Sequence, residues 1–392
     1  MKSLNRQVNA LGESIFSTIT QLANAHHAIN LSQGFPDFDG PAWVIELAKN
    51  ALEEGAKGKN QYAPSYGILP LREAIATQYE TNYGLHLDPK KDILITNGAT
   101  EAIYATIQAL VNPADEVVVF EPLYDSYAAA ISITGGVLRP VTLKLPDFQF
   151  DLDELQSVIN DKTKLLILNS PHNPTGKVFS KSELELIAGL ALKHDFFILC
   201  DEVYEYLTFD VPHIPIATIP EIRNRVITIS SIGKTYSLTG WKIGWACASQ
   251  SITRAIHNVH QFMCFCVAHP LQEAIAKALP QQEKYLPDFR SQYDARRSLL
   301  IQGLSKVGFN ILPSQGTYFI LTKVPDLKND IDYCQELILT KKVATIPTSA
   351  FYVKSDEGSR LIRFCFAKKE ETLRKAIANL SSYQGATYEP SL

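Results

Sequence analysis

Five short apolar runs restrict how this chain can fold more than any other feature. DILIT (92–96), EVVVF (116–120), KLLILNS (164–170), FFILCDEV (196–203) and RVITISSI (225–232) carry apolar residues almost without interruption. Helix-like segments lie between them: ATEAIYATIQAL follows the first, YDSYAAAI the second and SKSELELIAGLALKH the third. A strand with one wet face alternates polar and apolar residues, so strands apolar throughout must be covered on both faces. The pattern predicts an α/β fold, a mainly parallel central sheet flanked by helices. Ligands of such sheets sit beyond the carboxyl ends of the strands.

The texture changes after about residue 280. QQEKYLPDFRSQYDARRSLLIQGL predicts a long charged helix, and FNILP with GTYFILTKV predicts a strand pair turning at Ser314–Gly316. LIRFCFAKK adds a strand, and a final helix is predicted near residues 369–381. We expect a large domain over 46–280, a smaller α+β domain over 281–392, and an N-terminal segment, 1–45, packing with the small domain. The last residues, GATYEPSL, read as a frayed tail.

A chain of 392 residues is long enough for more than one core. Its formal net charge of −4, without a polybasic run, gives no reason to expect nucleic acid. No apolar stretch reaches membrane-spanning length, and MKSLNRQVNALGESIF lacks the apolar centre of a signal peptide. A soluble, cytoplasmic protein is expected. Cys200, Cys247 and Cys365 lie inside apolar runs and read as small core residues. Cys264 and Cys266 are spaced C-x-C with His269 nearby, but no second ligand pair accompanies them, so no metal is expected.

Four stretches would be delivered by such a sheet to one crevice. TNGATEAIYA (96–105) runs from strand through glycine into a helix, where the N–H groups of Ala99 and Thr100 would form an anion site. NSPHNPTGKVF (169–179) presents the Asn173 amide on a proline-fixed loop. FFILCDEVYEYL (196–207) ends an apolar strand in Asp201, with Tyr204 three residues on; a carboxylate there needs a cation or a strong donor. SSIGKTYSLTGWKIGW (230–245) places Lys234 after Ser231 and before Lys242. Taken singly, each is also explained by a turn, a cap or a solvated lysine. Together, an anion cradle, a carboxylate, a phenol and a lysine meet the needs of pyridoxal 5′-phosphate. That cofactor requires an amine for its aldehyde, a carboxylate for its ring nitrogen, and donors for its phosphate and ring oxygen.

The chain resembles the class I, fold-type I pyridoxal-phosphate aminotransferases over nearly its whole length. The run SQGFPDFDGP (32–41), with NQYAP, HNPTG, DEVYE, GKTYSLTGWKIGW and IRFCFAKK, is most similar to the methionine and kynurenine–oxoglutarate aminotransferase branch. The resemblance implies that Lys234 is the covalent catalytic lysine and Asp201 the ring-nitrogen partner. Asn173 and Tyr204 would bond the ring oxygen, and Tyr124 would stack on the ring. Ala99, Thr100, Ser231 and Lys242 would hold the phosphate, Lys242 standing where many relatives use arginine and giving up the arginine fork. Tyr62 would reach the phosphate of a neighbouring subunit, which implies a homodimer. Arg363 would clamp the substrate α-carboxylate, aided by Gly34 and Asn173.

The implied reaction is ping-pong transfer of an amino group to a 2-oxo acid. No second arginine clamp is identifiable, and ESIF (13–16), SYGI (65–68) and GTYF (316–319) are aromatic and aliphatic. The resemblance therefore favours methionine, glutamine, phenylalanine, tyrosine or kynurenine over aspartate. The alternatives are β-lyase activity on cysteine S-conjugates at the same site and, remotely, an inactive regulatory or structural homologue. Trp241, Trp245 and Tyr236 read as packing residues.

Overall fold

The computed structural model describes residues 2, 4–9 and 11–381. The tail GATYEPSL lies outside the described residues. The centre of the fold is an eight-stranded sheet. In chain order the main elements are β1 (Ile93–Asn97), α1 (Gly98–Leu110), β2 (Glu116–Glu121), α2 (Asp125–Thr134) and β3 (Val137–Lys144). There follow β4 (Thr163–Asn169), α3 (Lys181–His194), β5 (Phe197–Asp201), β6 (Val226–Ser231), β7 (Ile243–Cys247) and α4 (Gln250–Met263). The spatial order is β1–β7–β6–β5–β4–β2–β3, with the short strand Gln149–Phe150 at the edge.

Strands β6, β5, β4, β2 and β3 pair in parallel, and the first four of these carry the near-continuous apolar runs of a sheet covered on both faces. Three strands of the sheet were not expected: β3, β7 and the edge strand Gln149–Phe150. β3 is half-buried over its first four residues and lacks the dense apolar signal. β7 begins inside GKTYSLTGWKIGW, where hydroxyls and glycines obscure the start of a five-residue buried strand. It runs antiparallel to both β1 and β6. Its first residue therefore reaches the same sheet edge at which its neighbours end, with Asn97 opposite Ile243 and Ser231 opposite Gly244.

Ser180 and Glu183 close a reciprocal capping box at the start of α3. Two apolar clusters cover the faces of the sheet, one holding Phe120, Leu168 and Ile198, the other Val119, Ile167 and Leu199. Alternate residues of the same strands thus enter opposite layers. Trp245 and Tyr236 are buried in a further apolar cluster, and Trp241 packs against its border, so all three serve packing.

The second sheet has three strands, with β9 (Leu361–Cys365) between β8 (Phe319–Lys323) and the short segment Ile346–Pro347, all antiparallel. The charged helix α5 (Gln282–Lys306) and the last helix α6 (Glu370–Ser381) pack beside it. The expected partner strand FNILP shrinks to a single bridge, Ile311 to Thr322. Pro313 has no N–H to continue the ladder, and Gly316 bridges to Thr208 instead. Near the N-terminus, Ile29–Asn30 pairs in parallel with Val343–Ala344, and Ile19 and Ala23 enter the same core as the three-stranded sheet.

Candidate active site

The carboxyl ends of β1 and β6 and the start of β7 make one corner. A Cβ at Gly244 would lie 2.6 Å from the Gly98 carbonyl carbon and 2.7 Å from the Ala99 nitrogen, so only glycine permits this approach. Gly98 has φ +74°, which turns the chain from β1 into α1. Asn97 makes no side-chain cap to α1, leaving the first helical N–H groups turned outward. Thr100, Ser231 and Lys242 join Ala99 around the same cavity. A Cβ on Gly98 would lie 3.2 Å from Lys242 Nζ, which places the ammonium directly over this turn.

Asp201 closes β5 and is buried. Its Oδ2 accepts from Tyr127 Oη at 2.6 Å, while Asn169 Nδ2 donates to its backbone oxygen at 2.8 Å. Burial raises the carboxyl pKa above its ordinary value; the bond from Tyr127 opposes this in part. Lys234 leaves the short helix Ile232–Thr235 after β6. Its Nζ donates to Tyr318 Oη at 2.8 Å and approaches Gly34 O at 3.5 Å. Tyr318 Oη in turn donates to Gly34 O. Burial brings the lysine pKa down to about 8, so the amine is neutral over a useful part of the physiological range. The Tyr204 ring stands edge-on to Tyr318, centroids 5.1 Å apart.

Arg363, at the middle of β9, comes from the other sheet. It is 1% exposed, and its guanidinium lies 3.9 Å from the Phe319 ring centre. Nη1 donates to Asn173 Oδ1 at 2.9 Å and Nη2 to Ser32 O at 3.0 Å. Nε has no partner, and among the described residues no carboxylate pairs with this buried cation. Asn173 is itself held by Asn169, whose Oδ1 accepts its N–H at 2.7 Å.

These groups share one cavity of about 370 Å³. Eleven of the twelve residues singled out from sequence line it; Tyr124 stands above Asp201's partner Tyr127, their rings 5.7 Å apart. Tyr62 does not line it: it is 82% exposed and rests edge-on against Phe265. Among the described residues, three cations, Lys234, Lys242 and Arg363, face the cavity against a single carboxylate, Asp201. That excess fits an anionic occupant, and the unmatched guanidinium fits a further carboxylate. Sequence reasoning passed over Tyr127, Asn169 and Tyr318. Tyr127 lies three residues after Tyr124, one helical turn, and Asn169 ends an apolar strand, so both had a local signal. Tyr318 had none, because its partner Lys234 is 84 residues away.

The family described as "Aminotransferase class I and II" matches residues 26–380. The chain is 42% identical to the methionine aminotransferase of Escherichia coli over 376 residues, covering 94% of this chain and 96% of that one. It is 36% identical to the kynurenine–oxoglutarate transaminase of Dictyostelium discoideum, covering 96% and 95% respectively. The solved structure of N-succinyldiaminopimelate aminotransferase from Mycobacterium tuberculosis superposes with a TM-score of 0.93 at 38% identity, covering 97% of this chain and 99% of that one.

Proposed function

The chain belongs to the class I and II aminotransferases, enzymes that transfer amino groups, and on that premise we propose a donor, a cofactor and residue roles. The donor is an apolar or aromatic amino acid, methionine foremost, with glutamine, phenylalanine, tyrosine and kynurenine in the same range. The acceptor is a 2-oxo acid, and the cofactor is pyridoxal 5′-phosphate. The observation that carries the reading is Arg363, a buried guanidinium without an anion opening onto the cavity that also holds Lys234.

When bound, the cofactor supplies an aldehyde for the Lys234 amine and a protonated ring nitrogen that draws electrons from the substrate α-carbon. The N–H groups of Ala99 and Thr100, the hydroxyls of Thr100 and Ser231, and the Lys242 ammonium hold its phosphate. The Asp201 carboxylate, fixed by Tyr127, keeps the ring nitrogen protonated. Asn173 and Tyr204 donate to the ring oxygen, and Tyr124 covers the ring. Arg363, with Asn173 and the Gly34 amide, orients the substrate carboxylate. Lys234 Nζ, neutral above about pH 8, would take the α-proton as general base and return it to the carbon on the far side of the amino nitrogen.

Tyr318 bears on that step. Its proton is committed to Gly34 O, so its oxygen accepts from Lys234 and favours the ammonium formed once the α-proton is taken. Tyr318→Phe is expected to lower kcat by about 10–100-fold, the worth of one charge-assisted hydrogen bond, and to shift the lysine pKa below about 8. The pH dependence of kcat checks this; a profile displaced upward would contradict it.

Arg363 is the sole arginine lining the cavity among the described residues, and Phe16, Phe35, Ile103 and Phe319 supply much of the remaining wall. An acidic side chain would therefore meet no second fork. Turnover of methionine should exceed that of aspartate by about 10²-fold or more in kcat/KM, since a buried unpaired carboxylate costs several kcal/mol. A preference for aspartate would defeat the assignment of donor.

We also propose a homodimer in which Tyr62 of the partner subunit reaches the phosphate. In support, exposed Tyr62 and Phe265 adjoin Phe262, 88% exposed, and Met263, 44% exposed. Six free cysteines support a reducing, cytoplasmic setting. No helix among the described residues is long and apolar enough to cross a membrane.

A further inference from the structure

Cys264 takes no part in the chemistry above. It caps the end of α4, and its Sγ lies 3.1 Å from Glu101 Oε1 on α1 and 3.4 Å from His260 Nδ1, one turn back on its own helix. Glu101 Oε1 is 2.6 Å from the same Nδ1. A thiol, an imidazole and a carboxylate oxygen therefore meet where α1 packs on α4. His260 is fully buried, Glu101 nearly so, and Cys264 is partly exposed.

Hydrogen bonding alone leaves this cluster unbalanced. The only basic group beside the Glu101 carboxylate among the described residues is His260. If His260 is neutral, a buried negative charge has no counterion. If it is imidazolium the charge is met within the pair, and its Nε2–H is a buried donor without an acceptor there as in a metal-bound state. A dication closes the charge, because thiolate and carboxylate carry two negative charges and neutral imidazole none. The triangle also has nearly the required size. Tetrahedral zinc, with Zn–S about 2.3 Å and Zn–N or Zn–O about 2.1 Å, separates S from N or O by about 3.6 Å and N from O by about 3.4 Å. Each pair has to open by less than about 1 Å, and the exposed side of Cys264 leaves room for a water as fourth ligand.

We propose that Glu101, His260 and Cys264 bind one thiophilic divalent cation of the zinc type per chain, and that its binding strengthens retention of the anionic cofactor. Binding releases the Cys264 thiol proton to solvent and moves the imidazole proton from Nδ1 to Nε2. Glu101 Oε2 accepts the Asn97 N–H, so the carboxylate is tied to the turn that leads into Ala99 and Thr100. Bare, it sets a negative charge beside a phosphate site; metallated, it does not. Linkage then requires that the loaded protein bind the metal more tightly by the same factor. This coupling rests on the cofactor site proposed above, whereas metal binding does not. His260 Nε2 has no outer partner, which weakens the site by roughly 10–100-fold relative to a fully supported one and makes the metal exchangeable.

Cobalt(II) titrated into the cofactor-free, full-length protein should give a thiolate-to-cobalt absorption band saturating at one metal per chain. The band should vanish in Cys264→Ser, weaken in Glu101→Gln and persist in Cys266→Ser. Absence of the band, or its undiminished presence in Cys264→Ser, would overturn the site. Zinc dialysed against cofactor-free and loaded protein should bind the loaded form about fivefold or more tightly. Equal binding to the two forms would overturn the coupling. An intact cobalt band in a protein that takes up no pyridoxal phosphate would instead overturn the cofactor reading and leave the metal site standing.

Discussion

Lys234→Ala is expected to take up no cofactor covalently and to lose transamination by at least about 10⁴-fold, the upper end of what a general base alone supplies. The side chain has two duties at one atom, since Nζ is both the amine for the aldehyde and the base for the α-proton. Lys234→Arg should fail equally, because a guanidinium stays protonated and can perform neither. Borohydride reduction reads the first duty without any turnover: the wild-type chain should gain cofactor mass on the peptide containing Lys234, and both variants should not. The pH dependence follows from the burial that brings this lysine down to about 8. Below that value the amine is charged and unreactive; at pH 7 about a tenth is neutral, against well under a thousandth for an ordinary lysine. Capture of cofactor by the free protein should therefore quicken as pH rises through about 8 and then level. Near-normal turnover in Lys234→Ala would remove the central assignment.

The parts of the site that were legible in the sequence are those whose chemistry is local. Asp201 ends an apolar strand, and Ala99 and Thr100 open a helix after glycine, so each carries its structural address in its own neighbours. Burial patterning likewise revealed the apolar strands that need cover on both faces. What was not legible depends on contacts distant in sequence. β7 is short and glycine-containing, and only its antiparallel insertion between β1 and β6 explains why Lys242 arrives at the corner that Ala99 and Ser231 occupy. Tyr318 and Glu101 are ordinary residues until the fold brings Lys234 to one and His260 with Cys264 to the other. The C-x-C spacing, read as structural, carried no sign of the contacts of Cys264, which lie a helical turn away and on another helix.

The second large effect is expected at Arg363. Its guanidinium has five donors, of which Asn173 and Ser32 each take one, while Nε–H is unengaged. The plane lies on Phe319, with Phe16 and Phe351 each 5.3 Å from it, so the fork is held in orientation before substrate arrives. Arg363→Lys keeps a charge but loses the plane and the paired donors, and kcat/KM for methionine should fall by about 10–100-fold. Arg363→Gln removes the charge as well, and the loss should reach about 10³-fold, the cost of leaving a buried carboxylate uncompensated. Cofactor uptake should survive both changes, because Arg363 holds substrate rather than phosphate. A donor lacking the carboxylate, such as methionine's decarboxylated amine, separates binding from general damage: it should be a poor substrate of the wild type and lose little further in either variant. Equal losses for both donors would mean that Arg363 supports the fold instead. The same geometry makes a prediction in the opposite direction for stability. A buried cation without an anion costs free energy in the empty protein, so Arg363→Met, which keeps the bulk against Phe319, should melt no lower than wild type without substrate and gain no protection when a substrate carboxylate is added.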